Sequence, residues 1–155
     1  VTWNNISGMR INMKVLLSKI QTEQISRHGE KTYPEECCGI LVGKMTGSAA
    51  KVMHVLPVEN EREDSRHNRY TISPGAYLKA EKWAEEQGLQ LLGFYHSHPD
   101  HPAQPSQYDL QHAWPNLVYL IMQIQQGHPQ ELNGFMLATS RERFNPITVE
   151  ILEDI

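Results

Sequence analysis

The chain has 155 residues, of which 39% are hydrophobic and 21% are charged, and its formal net charge is −4. This length and composition predict one globular domain, and an acidic balance without a basic stripe argues against a nucleic-acid partner. No apolar run approaches the roughly 18 residues that cross a bilayer, so we expect no membrane partner.

The N-terminal third of the sequence predicts a strand, a helix and a hairpin. Residues 1–10 are expected to be a flexible segment or a cloning remnant ahead of one domain at 11–155. No basic start followed by an apolar stretch marks a secretory signal there. The predicted elements are a strand at 12–17, a helix at 18–31 capped by Ser18, a strand at 37–42, a turn at 43–48 and a strand at 51–58.

The middle of the sequence combines a polar segment with an aromatic-rich helix. Residues 59–68 are expected to form a surface loop, either a solvated connection or a flexible lip over a substrate, and residues 69–72 a short strand. Ser73 and Pro74 then begin a helix, and Gly88 ends it. A stripe at helical spacing is expected to face the core: Tyr77, Ala80, Trp83, Ala84 and Gln87.

The C-terminal half predicts mostly strands. A strand at 89–95 is followed by a proline-rich loop at 96–105 and a short helix at 106–114. Three further strands are predicted at 117–124, 132–138 and 147–151. This alternation of strands and helices indicates an α/β or α+β domain.

Two imidazoles and a carboxylate lie close together in the sequence around residue 100. His96 and His98 share one face of a strand end because strand side chains alternate. Asp109 follows eleven residues after His98. Two histidines and a carboxylate can hold zinc and leave its fourth position open for water. The alternative is a histidine-rich surface turn, and for His101 and His112 we favour solvent exposure.

Residues near this cluster and near residue 36 also have two interpretations. Ser106 and Asp109 match a capping box at a helix start, which is compatible with a metal-binding role for Asp109. Glu36 is a candidate base, because a carboxylate next to an apolar run costs free energy unless it is paired or used; the alternative is a strand-end carboxylate in water. Cys37 and Cys38 are adjacent, so a disulfide between them is unfavourable. Two free thiols fit a reducing cytoplasm.

Together these residues resemble the JAMM (MPN-plus) zinc metalloproteases, and the small stand-alone prokaryotic members most of all. The pattern of that family is a glutamate three residues before a glycine, then His-x-His-Pro, six residues and Ser-x-x-Asp. Here Glu36-Cys37-Cys38-Gly39, His96-Ser97-His98-Pro99 and Ser106-Gln107-Tyr108-Asp109 supply every element at that spacing. The resemblance covers residues 12–151, which is nearly the whole chain.

The resemblance implies a fold, a site and a substrate. The fold would be like that of cytidine deaminases, with a mixed, curved sheet flanked by helices. Zinc would be held by His96, His98 and Asp109, with Glu36 as general acid/base and Ser106 stabilising the oxyanion. The substrate would be a ubiquitin-like or sulfur-carrier protein, cut after its C-terminal Gly-Gly.

Three rival functions stay open, and the sequence leaves the oligomeric state open as well. Family members without metal ligands act as non-catalytic scaffolds. Zinc deaminases use His-x-Glu and Pro-Cys-x-x-Cys, and the sequence contains neither. A cysteine hydrolase would need a reactive Cys37 or Cys38, although an apolar segment raises the pKa of a thiol.

Overall fold

The computed structural model describes residues 13–153, which form a single α/β domain. The segment predicted at residues 1–10 lies outside the described residues, so the domain boundary stays a prediction. The described elements are, in chain order, β1 Lys14–Ser18, α1 Lys19–Thr32, β2 Cys38–Thr46, β3 Ala49–Val58, α2 Pro74–Glu86, β4 Gln90–Pro99, α3 Gln107–His112, β5 Val118–Gln125, β6 His128–Leu137 and β7 Phe144–Leu152. None of the described helices has the length and apolar character to cross a membrane.

The sheet is mixed, as predicted, and it closes on itself. The strand order is β1-β3-β2-β4-β5-β6-β7, and β7 returns to pair in parallel with β1 from Lys14 to Ser18. The pairs β1/β3 and β4/β5 are also parallel, and the others are antiparallel. A closed barrel corrects the curved sheet expected from the resemblance, and the likeness to cytidine deaminases is not confirmed.

The two larger apolar clusters of the described residues lie on opposite faces of the sheet. Ile25 of α1 packs with Leu17 of β1 and Tyr95 of β4 on the inner face. Ala80 and Ala84 of α2 pack with residues of β2 and β4 on the outer face. Because strand side chains alternate, a β4 residue next to Tyr95 in sequence faces the outer cluster. This alternation sends His96 and His98 towards α2 and α3.

The predicted helix starts and the β2–β3 hairpin are confirmed. Ser18 and Ser73 are the N-caps of α1 and α2, and each side chain accepts a backbone N–H two or three residues into its helix. Such caps satisfy donors that have no partner within the helix. The predicted helix at 106–114 is shorter than expected and ends at His112, because Ala113 is extended with φ −81° and ψ 156°.

Four strand predictions need correction. The strand at 69–72 is wrong, because Thr71 bonds back to Glu61 within its own loop instead of joining the sheet. The loop at 96–105 begins too early, since β4 continues to Pro99 in parallel register with β5. Strands β6 and β7 both begin earlier than predicted, since each keeps a pairing partner beyond its apolar run.

Candidate metal centre and active site

The three predicted metal ligands meet in the folded chain. Nε2 of His96 lies 3.1 Å from Nε2 of His98 and 3.3 Å from Oδ1 of Asp109, and Nε2 of His98 lies 3.1 Å from Oδ2 of Asp109. His96 and His98 are each only 1% exposed, and Asp109 is 8% exposed. A histidine-rich surface turn is therefore wrong, because these polar side chains converge inside the protein.

The spacing of these atoms fits a tetrahedral zinc ion. Ligands about 2.0–2.2 Å from such an ion lie about 3.3–3.5 Å from one another, close to the separations between these three side chains. Nδ1 of His98 lies 2.7 Å from the Pro102 carbonyl, so the ring hydrogen is placed on Nδ1 and the Nε2 lone pair is left for a metal. Burial raises the pKa of Asp109, but the two neighbouring imidazoles outweigh it and hold that pKa well below its usual range.

Ser106 and Asp109 form the capping box that the sequence predicts. The Asp109 N–H donates to Oγ of Ser106 at 3.0 Å, and the Ser106 N–H donates to Oδ2 of Asp109 at 2.8 Å. The capping-box interpretation is confirmed, and the cap holds the Asp109 carboxylate close to His96 and His98, which is compatible with the predicted metal-binding role. In the hydrogen bonds found within residues 13–153, Oγ of Ser106 acts only as an acceptor, which leaves its hydrogen available to a substrate.

Glu36 is buried beside the ligands and not in water at a strand end. Its side chain is 1% exposed, and Oε1 has no hydrogen-bond partner in the described part of the chain. Burial raises the pKa of Glu36 to about 8, against a lowering effect of His98. Gly39 of the same motif allows β2 to approach β4, since a Cβ there would lie 2.0 Å from a carbon of the Tyr95 ring.

The polar loop between β3 and α2 is bonded to the backbone of Glu36. The Glu36 N–H donates to the Arg66 carbonyl at 2.6 Å, and Nδ2 of Asn60 donates to the Glu36 carbonyl at 3.2 Å and to the Arg69 carbonyl at 3.0 Å. Oδ1 of Asn60 accepts the N–H groups of Arg62 and Thr71 at 3.1 and 3.0 Å. The loop is thus an ordered wall of the site, and a lone asparagine in a polar segment gave no sequence signal of this role.

Replacing Asn60 with alanine is expected to lower the free energy of unfolding by about 2–3 kcal/mol, because four backbone groups lose their partner. Turnover should fall as well, since the Glu36 backbone loses one of its two anchors to the loop. Urea denaturation and kcat measure the two effects. Asn68→Ala, at an exposed position of the same loop, should change stability by less than about 0.5 kcal/mol; equal effects of the two variants would contradict the anchoring role.

Two aromatic contacts to the ligands were not foreseen. Tyr70 stacks on His96 with ring centres 4.5 Å apart, and His101 stacks on His98 at 4.0 Å. The expected solvent exposure of His101 is wrong, since this half-buried ring also brings a nitrogen within 4.8 Å of ligand atoms of Glu36 and His98. His112 is exposed, as expected, and stacks on Tyr108.

The two cysteines are core residues. Both are free thiols, 2% and 0% exposed. Burial raises the pKa of Cys37 to about 12 and raises that of Cys38 further, so neither thiol ionises near neutral pH. A cysteine nucleophile is therefore not supported, because the thiolate is the reactive form.

A cavity of about 860 Å³ opens beside the ligand set. Asp109 and Tyr70 are among the residues that line it, together with aliphatic side chains and aromatic ones such as Tyr77, Phe94 and Trp114. Trp114 is 66% exposed, so the outer rim of the cavity faces solvent. The site thus has room for a substrate segment next to the converging ligands.

The chain is similar to known proteins along most of its length. The family described as prokaryotic homologs of the JAB domain matches residues 18–138. A probable TtuB-protein conjugate cleaving protease from Thermus thermophilus is 36% identical over 99 residues, which make up 64% of this chain and 63% of that protein. A desampylase from Haloferax volcanii is 36% identical over 89 residues, 57% of this chain and 62% of that protein. The match thus spans less than two thirds of either relative.

A solved structure shows the same fold. The solution structure of a protein from Desulfitobacterium hafniense matches with a TM-score of 0.79 and 29% sequence identity, over 91% of this chain and 94% of that one. Residues 18–138 of the family match include Glu36, the metal-ligand set and Ser106. The chain belongs to the prokaryotic homologues of the JAB domain, the JAMM family that its motifs predict.

Proposed function

We propose that this protein is a zinc-dependent hydrolase of peptide or isopeptide bonds. One observation carries the proposal: ligand atoms of three buried side chains lie 3.1–3.3 Å from one another, and beside them lies the buried Glu36 carboxylate, whose Oε1 has no hydrogen-bond partner among residues 13–153. A charged or polar group left unpaired in the interior costs free energy. Buried polar groups of this kind are concentrated at functional sites, where a bound cation or a reaction compensates for the cost.

His96, His98 and Asp109 would hold the zinc ion. Bound zinc supplies a Lewis acid for the scissile carbonyl and lowers the pKa of water towards about 7. A positive ion beside Glu36 would also oppose the effect of burial on its pKa, which brings the carboxylate into the range of a general base near neutral pH.

Glu36 and Ser106 have separate tasks in this scheme. Glu36 takes a proton from the attacking water, whose oxygen adds to the scissile carbonyl carbon. Ser106 donates its free hydroxyl hydrogen to the developing oxyanion, a contact that contributes about 3 kcal/mol in other hydrolases. The carbon–nitrogen bond then breaks, and Glu36 passes its proton to the leaving amine.

The substrate we propose is a ubiquitin-like or sulfur-carrier protein that is cut after its C-terminal Gly-Gly. The printed names of the relatives support a protein conjugate as substrate, since one is a probable TtuB-protein conjugate cleaving protease and another a desampylase. Glycine residues next to the scissile bond would also let the tail approach a site enclosed by the β3–α2 loop. We place the reaction in the cytoplasm, since the two cysteines are free thiols.

A non-catalytic scaffold of the same fold is the alternative. Such a protein has no need for converging ligands or for a buried Glu36 whose Oε1 lacks a hydrogen-bond partner in the described part of the chain. Metal analysis separates the two functions. The hydrolase should purify or reconstitute with one zinc ion per chain and lose stability on chelation, whereas a scaffold should show neither property.

Direct cleavage assays test the proposed substrate. Zinc-loaded protein is incubated with carriers that bear peptide or lysine-linked adducts after Gly-Gly, and mass spectrometry locates the cut. We expect a product that ends at the second glycine. Intact carriers after long incubation with fully zinc-loaded protein would contradict the proposal.

A further inference from the structure

The β3–α2 loop brings two arginines to one tyrosine beside the metal centre. The guanidinium carbons of Arg62 and Arg69 lie 5.5 and 5.2 Å from the centre of the Tyr108 ring, within the range of cation–π contacts. Nη1 of Arg62 also donates to the Tyr108 hydroxyl at 3.3 Å, and that hydroxyl donates to the Tyr70 carbonyl at 3.2 Å. Tyr108 therefore gathers two positive charges at this side of the site.

Arg69 adjoins two tyrosines, Tyr70 and Tyr108, and each of them is next to a proposed metal ligand. Tyr70, the next residue in the chain, stacks on His96 with ring centres 4.5 Å apart. Tyr108, which lies against the guanidinium, immediately precedes Asp109 on α3. Arg69 is thus next to Tyr70 in the chain and against Tyr108 in space, and both tyrosines adjoin proposed metal ligands.

The two arginines differ in how their charge is balanced. Nε of Arg62 lies 3.1 Å from Oδ1 of Asp64, so its charge has a partner. Within residues 13–153, the ion pairs include none that involves Arg69. Arg69 is half-buried, and Asn60 fixes its backbone through a 3.0 Å hydrogen bond to its carbonyl. A guanidinium held in place without a carboxylate is suited to bind one in bidentate fashion.

We propose that Arg69 binds the α-carboxylate of the amino acid that leaves when the carrier tail is cut. The inference rests on the proposed hydrolase function. In a single α-linked residue, the carbon that carries the scissile nitrogen also carries the carboxylate, so that charge stays beside the metal centre. In a lysine-linked conjugate, the scissile nitrogen carries a methylene chain instead. Arg69 therefore makes the site selective for carriers that end in one additional amino acid.

The test compares two carriers that end in Gly-Gly-Ala and differ only in a terminal carboxylate or carboxamide. The zinc-loaded protein is expected to cleave the carboxylate form with a kcat/KM about 10- to 100-fold higher, the effect of one hydrogen-bonded charge pair, mainly through KM. Arg69→Gln should lose this preference and cleave the two carriers with similar kcat/KM. Arg27→Gln removes the same charge at an exposed position of α1 and should keep the preference.

Equal cleavage of both carriers by the unsubstituted protein would overturn the proposal. It would also be overturned if Arg69→Gln slowed both carriers equally, because the arginine would then only support the loop. Cleavage of neither carrier would count against the hydrolase function, and binding then decides the inference. Calorimetry with zinc-loaded Glu36→Gln protein should show about tenfold tighter binding of the carboxylate form, lost on adding Arg69→Gln; equal binding would refute it.

Discussion

Replacing Glu36 with glutamine is expected to reduce kcat by about 10²- to 10⁴-fold, the contribution typical of a general acid–base group. Glutamine has nearly the same shape as glutamate but cannot accept the proton of the attacking water. Zinc should stay bound, because Glu36 is not one of the three converging ligands. Steady-state kinetics and metal analysis of the same sample measure the two outcomes together.

The same variant should be more stable than the parent when both are free of metal at pH 8. Burial raises the pKa of Glu36 in the folded chain to about 8 from an ordinary value of 4.5. The folded state therefore keeps a proton that the unfolded state has lost, and the free energy of unfolding falls as pH rises from about 4.5 to 8. Glutamine does not titrate, so the variant avoids this loss of stability, which is on the order of 4 kcal/mol by pH 8.

Urea denaturation of both metal-free proteins at pH 4 and pH 8 measures that difference. The two should be about equally stable at the lower pH and should separate as pH rises. A stability difference that does not change with pH would show that the Glu36 carboxyl is not held protonated by burial. A variant with normal turnover would show instead that another group is the base.

Replacing Asp109 with asparagine is expected to abolish zinc binding and activity. An amide oxygen can still accept the Ser106 N–H and so keep the helix cap, but it supplies no negative charge to the ion. In the parent, zinc at about 1,000 times its Kd should stabilise the fold by about 4 kcal/mol. For a chain of this length that corresponds to a rise of about 10 °C in Tm, which the variant should not show.

His112→Ala is the matched control for Asp109→Asn. His112 lies on the same short helix, but it is exposed and contacts Tyr108, not the ligands. The His112→Ala variant should bind one zinc ion per chain and show the full zinc-dependent rise in Tm. Retention of zinc and of that rise by Asp109→Asn would contradict the assigned ligand set.

The sequence predicts which side chains meet at the candidate site better than it predicts the architecture around them. Two features can be read locally: the alternation that sends His96 and His98 to one face, and the capping box that fixes Asp109. Barrel closure cannot be read locally, because the parallel pairing of β1 with β7 joins residues at opposite ends of the chain. The extension of β4 to Pro99 cannot be read locally either, because it depends on pairing with β5.

The role of the β3–α2 loop as a wall of the site could not be predicted from sequence patterns. Residues 59–68 look like a solvated connection because they are polar, yet Asn60 uses both ends of its amide to bond the loop to itself and to Glu36. The burial of Glu36 likewise depends on tertiary contacts, since a carboxylate at the start of a strand is more often in water. The motif predicts Glu36 as the base, and the hydrogen bonds from the loop hold the Glu36 backbone in place.

The most direct test of the account is anomalous diffraction at the zinc edge from crystals of the zinc-loaded protein. The proposed ligand set predicts one peak per chain, about 2.0–2.2 Å from Nε2 of His96, Nε2 of His98 and a carboxylate oxygen of Asp109. Within residues 13–153, Glu36, His98 and His101 form a second set of groups close enough to share an ion; a peak held by that set would contradict the assignment, as would the absence of any peak at this cluster.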